Sequence, residues 1–163
     1  MIPVPPFVQS DDSRCGPASL KMVLNYYGVP VSEDEVCNRT NHSYALGCTN
    51  ASIKNAFESY GFTCTIKNKA TLDDIRECIK RGIPPIVDWF STGVDPGPGD
   101  MANGHSSVVV GIDDKKIYIL DPENGQIRDI LHNDWLRVWY DWQNSPTISP
   151  DNLRIRQLIV AYK

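Results

Sequence analysis

Apolar positions recur at helical spacing in the first part of the chain. Over residues 16–27, Gly-Pro-Ala-Ser-Leu-Lys-Met-Val-Leu-Asn-Tyr-Tyr, positions 19, 22, 23, 26 and 27 fall on one face of a helix, because residues three, four, seven and eight apart share a face. Gly28 follows where this helix would end, as glycine often does. The pattern predicts a mostly buried helix over 16–27.

Helix-capping residues predict three more helices, over 32–39, 49–60 and 71–82. Ser32 and Glu35 have the spacing of a capping box, in which each side chain satisfies a free backbone N–H at the start of a helix. Four helices are therefore expected in the first half of the chain.

Beyond residue 83 the pattern changes to short apolar runs that are typical of strands. The predicted strands are 86–90, 105–112, 116–121, 126–130 and 157–162, with a short helix over 132–140 before the last one. Helices thus come first and an antiparallel sheet follows, which favours the α+β class over a doubly wound parallel sheet. A length of 163 residues fits a single domain over 1–163.

Charge and composition narrow the range of partners. The net charge is −4 and the sequence pI is about 5.3, and no stripe of lysine and arginine is present of the kind that binds a phosphate backbone. Apolar runs are far shorter than the roughly 20 residues that span a bilayer. Residues 1–7 lack the basic and apolar regions of a secretory signal. We therefore expect a soluble protein with no nucleic-acid partner and no membrane insertion.

The five cysteines show no metal-binding pattern. They include no Cys-x-x-Cys pair, and the three histidines add no metal-site spacing, so we expect no metal and no cofactor. An odd number of cysteines without a signal peptide favours a cytoplasmic protein with reduced thiols; a secreted protein whose signal has been removed is the alternative. Cys37, Cys64 and Cys78 lie in predicted helices or strands and are expected to be small buried apolar side chains.

Cys15 differs from the other cysteines because it opens the first predicted helix. A thiol attacks a carbonyl only as the thiolate, which a helix N-terminus, a neighbouring cation or a histidine can stabilise. Arg14 is adjacent in sequence, and His105 is the candidate imidazole that would pair with the thiolate and later protonate the leaving amine. A cysteine at a helix start can also be chosen for packing alone.

His105 begins one strand of the predicted hairpin and Asp121 ends the other. If 113–115 is the turn, residue 105 faces residue 123, and residue 121 is its diagonal neighbour on the same side of the sheet. An even-length turn would put the two side chains on opposite sides, so the hypothesis requires an odd one. Asp121 would then accept the imidazole N–H and fix its orientation. The alternatives are a surface histidine and an aspartate that only ends a strand.

Two further residues stand beside these candidates. Gln9 lies six positions before Cys15, where its side-chain N–H and the backbone N–H of Cys15 could together bind the oxyanion that forms on the substrate. A glutamine alone carries no such signal. Gly104 has no side chain, so a substrate or the nucleophile can approach the chain closely just before His105.

Two other segments have distinctive composition. Residues 91–104 are rich in glycine and proline, which indicates a loop that is either a flap over a cleft or a plain connection. Trp135, Trp139 and Trp142 have helical spacing and are expected to pack in the core or in the wall of a cleft.

Taken together, these elements resemble the C39 and C39-like cysteine peptidases, a papain-like group. The similarity lies in the Gln, Cys-Gly-Pro-Ala, Gly-His-x-x-Val-Val and Asp-Pro elements, and it spans most of the chain. It implies that Cys15 is the nucleophile, His105 the general base and acid, Asp121 the orienting residue and Gln9 the oxyanion donor.

Two departures from the family pattern stand out. Many members carry aspartate directly before the cysteine, where this chain has Arg14, a change that would alter the stability of the thiolate or the preferred charge of the substrate. The members that process bacteriocins are fused to an ABC transporter. This chain has no membrane segment, so the resemblance does not imply cleavage after a double glycine.

The sequence thus predicts a papain-like α+β fold, with the nucleophile at a helix start in an N-terminal helical half and an antiparallel sheet in the C-terminal half. The expected function is a cysteine peptidase that hydrolyses amide bonds of a peptide or protein substrate through an acyl-enzyme on Cys15. One alternative is another acyl transfer on the same fold, amidase or transglutaminase-like, because the triad specifies the acyl step and not the acceptor. The other is a catalytically inactive peptide-binding module.

Overall fold

The computed structural model describes residues 1–91, 104–142 and 150–163. The helices of these ranges are α1 (Cys15–Tyr26), α2 (Glu33–Arg39), α3 (Asn50–Ser59), α4 (Leu72–Lys80) and α5 (His132–Val138). The strands are β1 (Thr63–Lys67), β2 (Ile86–Phe90), β3 (Gly104–Ile112), β4 (Lys116–Asp121), β5 (Gln126–Leu131), β6 (Tyr140–Trp142), β7 (Leu153–Ile155) and β8 (Leu158–Tyr162). The proposed flap falls almost entirely outside the described residues and stays a prediction.

The helix starts follow the predicted caps. The side chain of Ser32 accepts a hydrogen bond from the backbone N–H of Glu35 at the start of α2, while Thr49 and Thr71 each complete a full capping box at the starts of α3 and α4. Such caps satisfy backbone donors that have no partner within the helix. Because these signals are local, the four helices of the first half are confirmed close to their predicted bounds.

Six strands form one antiparallel sheet in the order β1-β8-β2-β3-β4-β5, and β6 pairs with β7 in a separate two-stranded sheet. The helix α1 packs on β3, and α3 packs on β1. The α+β class is therefore confirmed. No helix within the described ranges is both long and apolar enough to cross a membrane.

The sheet has a hydrophobic core on each side. Side chains that alternate along the strands divide between the two cores: Val108 and Val110 join the core that contains α1 and α3, while Val109 and Ile119 join the core that contains Trp135. Burial on both sides explains why β2 and β3 read as continuous apolar runs rather than as alternating ones. It also holds β3, which carries His105, rigidly between two packed layers.

Two of the three tryptophans pack in the core, as predicted. Trp135 and Trp139 are 0% and 1% exposed, and their rings pack against each other in the second core. Trp142 lies beyond the predicted helix, in strand β6, half-buried and edge-on to Phe90. The helix α5 itself ends at Val138, two residues before the predicted end, because Tyr140–Trp142 pair with β7 instead.

The β3–β4 hairpin has the predicted register near His105, but a bulge produces that register and not the length of the turn. From the turn outward, the pairs are Ile112 with Ile117, Gly111 with Tyr118, Val109 with Ile119, and Val108 with Leu120. An even number of residues separates the first pair, so the predicted odd-length turn is wrong. The register then shifts by one residue at Val110, a bulge that exchanges the faces of the strand. Beyond the bulge, His105 and Asp121 are on the same side of the sheet, as expected.

Candidate active site

Cys15 is the first residue of α1 and is half-buried. The first helical hydrogen bond runs from the N–H of Ala18 to the carbonyl of Arg14 at 2.9 Å, so the N–H of Cys15 precedes the hydrogen-bond ladder of the helix. The N-terminal end of a helix carries a partial positive charge. The predicted position of Cys15 at a helix start is confirmed, and the helix end favours negative charge there.

His105 lies between Cys15 and Asp121. Its Nε2–H donates to Oδ1 of Asp121 at 2.6 Å, and the side chain of Cys15 is near enough to raise the pKa of His105. His105 is 8% exposed and Asp121 is fully buried. The structure thus brings together three of the four side chains that the sequence singled out, in the order thiol, imidazole, carboxylate.

The charges of this pair reinforce each other. Burial acts to lower the pKa of His105, but the hydrogen bonds to Asp121 and to Cys15 oppose it and raise the pKa to about 10. Burial acts to raise the pKa of Asp121, but the hydrogen bond and positive charge of His105 bring it down to about 2. At neutral pH the arrangement therefore favours an imidazolium beside an ionised carboxylate.

The backbone of Gln9 is hydrogen-bonded to the residue that follows Asp121. Its N–H donates to the carbonyl of Pro122 at 2.8 Å, which places the segment before Cys15 against the residue that follows Asp121. The side-chain amide donates to the carbonyl of Asp11 at 2.8 Å, so one of its two N–H groups is used to hold the segment. The oxyanion role of Gln9 stays a prediction that this placement supports.

Arg14 is held by carboxylates of the neighbouring segments. Its guanidinium lies 2.8 Å from Asp11, 3.1 Å from Glu33 and 2.9 Å from Asp34. These hydrogen bonds, chiefly the one to Asp34, raise the pKa of Arg14. Since Glu33 and Asp34 form the first turn of α2, Arg14 joins the segment before Cys15 to that helix, and its charge is already matched.

Gly104 is required by a carboxyl group rather than by an approaching substrate. A Cβ atom at this position would lie 2.0 Å from Oδ1 and 2.5 Å from Cγ of Asp141. Burial and the nearby charge of Asp88 raise the pKa of Asp141 well above its usual range. The close approach inferred from the sequence is real, but the group that approaches is the side chain of Asp141 on β6.

Sequence reasoning missed Arg128 on β5. Its Nη1–H donates to Oδ2 of Asp121 at 2.9 Å, and its guanidinium lies 4.9 Å from the ring centroid of Trp89. The same diagonal rule that connected His105 to Asp121 would have found it. Asp121 pairs with Gln126 across the β4–β5 turn, so residue 128 is the diagonal neighbour of Asp121 on the same side of the sheet.

A buried hydrogen bond also connects the helix of Cys15 to the strand of His105. The hydroxyl of Ser19, one turn after Cys15, donates to the carbonyl of Ser106 at 3.2 Å. The hydroxyl of Ser106 in turn donates to Asp88 at 2.7 Å. These contacts fix the separation of α1 and β3, and with it the separation of the thiol and the imidazole.

One group of residues in the described ranges has the composition of a metal site. Ligand atoms of His105, Asp121 and Glu123 lie within 4.8 Å of one another. Nε2 of His105 and Oδ1 of Asp121 are, however, bonded to each other, and Oδ1 also accepts the backbone N–H of Glu123 at 3.0 Å. Nε2 of His105 and Oδ1 of Asp121 thus already satisfy each other, and Glu123 joins them through its backbone, so these residues form a hydrogen-bonded network.

Comparison of the sequence with known protein families identifies the family of this chain. The model of the Peptidase_C39 like family matches residues 1–146. The chain belongs to this family. The family predicted from the sequence is therefore confirmed, and none of the curated proteins is significantly similar to this family member.

Solved structures of C39 peptidase domains share the fold. One is a double glycine motif protease from an AMS/PCAT transporter in complex with the leader peptide, with a TM-score of 0.70 and 23% identity over 98% of this chain and 91% of that one. Another is the peptidase domain of Streptococcus ComA, a bifunctional ABC transporter involved in a quorum-sensing pathway, with a TM-score of 0.72 and 19% identity over 97% of each chain. The papain-like C39 fold is thereby confirmed for this chain.

Proposed function

We propose that this C39-family chain is a cysteine peptidase that hydrolyses peptide bonds through an acyl-enzyme on Cys15. The observation that carries the proposal is the imidazole of His105, which is hydrogen-bonded to the carboxylate of Asp121 at 2.6 Å and has its pKa raised by the nearby thiol of Cys15. This is the order of nucleophile, base and orienting group that acyl transfer requires.

The first half of the reaction is acylation. The thiolate of Cys15 attacks the carbonyl carbon of the scissile bond, and the oxyanion that forms is stabilised by the N–H of Cys15 at the start of α1 and by the side-chain amide of Gln9. His105 gives its proton to the nitrogen as the C–N bond breaks. The amine product leaves, and a thioester joins the remaining acyl group to Cys15.

The second half is hydrolysis of the thioester. His105, now neutral, takes a proton from a water molecule that attacks the acyl carbon. Loss of the C–S bond returns the thiolate of Cys15 and the imidazolium of His105, and the carboxylic acid product leaves. Asp121 keeps the imidazole oriented through both halves.

A peptide substrate is supported by two observations. The chain belongs to a peptidase family, and one structural neighbour is a protease in complex with the leader peptide. The acceptor is proposed to be water, because the geometry of the described residues contains the acyl-transfer groups and no second nucleophile is needed.

The experiment compares how the wild type and the variants Cys15→Ala, His105→Ala and Cys78→Ala digest a peptide library. The products are identified by mass spectrometry. Cys78 is a buried thiol of α4 and serves as the matched control. We expect the first two variants to lose at least about 100-fold in rate and Cys78→Ala to retain activity. A substrate that the Cys15→Ala variant still cleaves would contradict the proposal.

A second arm of the experiment distinguishes hydrolysis from transfer to another acceptor. With a primary amine added, a peptidase gives mainly the carboxylic acid, whereas a transglutaminase-like enzyme gives mainly the substituted amide. Predominance of the amide would replace hydrolysis by acyl transfer. No product from any peptide, together with alkylation of Cys15 no faster than that of an ordinary thiol, would favour the peptide-binding module.

A further inference from the structure

We infer that Arg128 is a positioning residue of the candidate active site, which shares the carboxylate of Asp121 with His105 and so limits how tightly that carboxylate holds the imidazolium proton. The inference rests on the proposed function, because this is the proton that His105 gives to the leaving amine. No part of the family pattern seen in the sequence includes Arg128.

The carboxylate of Asp121 is divided between two cations. Oδ1 accepts from Nε2–H of His105 at 2.6 Å and from the backbone N–H of Glu123 at 3.0 Å, whereas Oδ2 accepts from Nη1–H of Arg128 at 2.9 Å. Asp121 is fully buried, so water screens its contact with the buried His105 less than it would on the surface, whereas the side chain of Arg128 is 38% exposed. A single negative charge therefore stabilises two positive groups at once.

Arg128 is held in place by more than this ion pair. Its guanidinium stacks over the ring of Trp89 at 4.9 Å, and that ring lies edge-on to the imidazole of His105 with 6.0 Å between the ring centroids. Trp89 is buried and donates from its indole N–H to the hydroxyl of Ser107 at 3.0 Å. The cation is thus fixed on one side of the pair, in a geometry that a flexible surface arginine would not keep.

The other groups around His105 favour its charged form. Cys15 faces it from α1 and Asp121 from β4, and both raise its pKa. Asp141 on β6 interacts with His105 electrostatically, and Asp88 on β2 lies beyond it, bonded to Ser106. Among these neighbours Arg128, from β5, is the positive one.

A proton that is held too tightly is transferred slowly, since a general acid works best when its pKa is near the working pH. Because a nearby positive charge disfavours a second one, Arg128 moves His105 toward that range. At the same time its N–H satisfies Oδ2 of Asp121, which would otherwise be a buried oxygen without a partner. The first effect depends on the positive charge of residue 128, and the second depends on an N–H that can donate to Asp121.

The direct test is an NMR titration of the imidazole of His105 in the Cys15→Ala background, where no thiolate contributes. Arg128→Gln keeps an N–H for Asp121 and removes the charge, whereas Arg128→Lys keeps the charge. Arg137→Gln, in an exposed position of α5, controls for the change in net charge. The chain has only three histidines, so assignment is straightforward.

We expect His105 to titrate at a pH at least about 0.5 higher in Arg128→Gln than in the background, with Arg128→Lys and Arg137→Gln close to the background. Thermal melts establish that each variant is folded. An unchanged or lower titration pH in folded Arg128→Gln would overturn the inference.

Kinetics with the intact thiol provide the second readout. In single turnovers Arg128→Gln should release the amine product several-fold more slowly with KM little changed, and Arg128→Lys should recover most of the rate. A raised KM with an unchanged rate would show instead that Arg128 contacts substrate, and would also overturn the inference. If the wild type cleaves no peptide, the proposed function fails, but the His105 titration still decides the effect of Arg128.

Discussion

The contact between Gly104 and Asp141 predicts that Gly104→Ala destabilises the fold beside His105. A Cβ at residue 104 would lie 2.0 Å from Oδ1, 2.5 Å from Cγ and 2.6 Å from Oδ2 of Asp141. Real Cβ contacts are well over 3 Å, so the whole carboxyl group must move by about 1 Å or more. Rotation about the Cβ–Cγ bond of Asp141 does not remove the clash, because Cγ itself would lie 2.5 Å from the new Cβ.

The expected cost follows from that overlap. Inserting a methyl group into a filled site typically destabilises the fold by about 1–3 kcal/mol. Replacing glycine in a strand by alanine stabilises it by roughly 0.5–1 kcal/mol, because alanine loses less conformational entropy on folding. We therefore expect a net loss of about 1–2 kcal/mol in the free energy of unfolding. With a urea dependence of about 1–3 kcal/mol per molar, the midpoint of unfolding should fall by roughly 0.5–1 M.

The assay is urea unfolding of Gly104→Ala, Asp141→Ala and the double variant. The double variant should recover about 1 kcal/mol relative to the sum of the two single losses, because removal of the carboxyl removes the clash. Gly111→Ala is the control on the same strand. Its Cβ would lie 2.8 Å from Cγ of Met1, a terminal residue that is 79% exposed, so Met1 can move aside and the loss of stability should be smaller. A loss in Gly104→Ala that persists unchanged without the Asp141 carboxyl would refute the reasoning.

Three further outcomes follow from the site. The pKa of Asp121 is about 2 in the folded protein and about 3.8 ordinarily, so its charged form contributes roughly 2 kcal/mol of stability above pH 4, which is lost as the pH falls toward 2. In urea unfolding, the difference in free energy of unfolding between wild type and Asp121→Asn should therefore narrow over that pH range. A difference that stays constant would contradict this prediction. Ser19→Ala should lower the free energy of unfolding by about 1 kcal/mol and lower kcat several-fold, because α1 loses its hydrogen bond to the carbonyl of Ser106. Full activity in this variant would show that this hydrogen bond does not set the distance between Cys15 and His105. Arg14→Met should lower the melting temperature slightly, because solvent-exposed ion pairs contribute little to stability, yet leave the pH profile of Cys15 alkylation unchanged. A shifted profile would show that the charge of Arg14 acts on the thiol.

Local signals made the first half of the fold predictable. Serine and threonine caps and the glycines after the helices act within a few residues of their position, so the bounds of α1 to α4 followed from the sequence. Features that depend on pairing between strands were harder. Trp142 has helical spacing but joins β6, because it pairs with β7, a short strand that the sequence pattern did not predict.

In the candidate site, too, features set by local sequence were predictable, and features set by strand pairing were harder to predict. The start of α1 placed Cys15, and the diagonal relation placed Asp121 beside His105, although the bulge at Val110 produced that register and not the turn. Gly111 lies directly beside this bulge, and an isolated glycine within a strand pattern is a bulge signal that the sequence prediction did not use. Arg128 could have been found by applying the diagonal rule once more, whereas the approach of Asp141 to Gly104 depends on how β6 packs against β2 and β3.

The most direct test of the central claim is the rate of iodoacetamide alkylation of Cys15 as a function of pH, mapped by mass spectrometry, in the wild type and in His105→Ala. If the thiol and imidazole form the ion pair, Cys15 reacts faster than the other four cysteines below pH 7, and it loses that advantage in His105→Ala. Because the pKa of His105 is raised to about 10, the pair should persist through neutral pH. If Cys15 reacts no faster than an ordinary thiol in either protein, the catalytic account is contradicted.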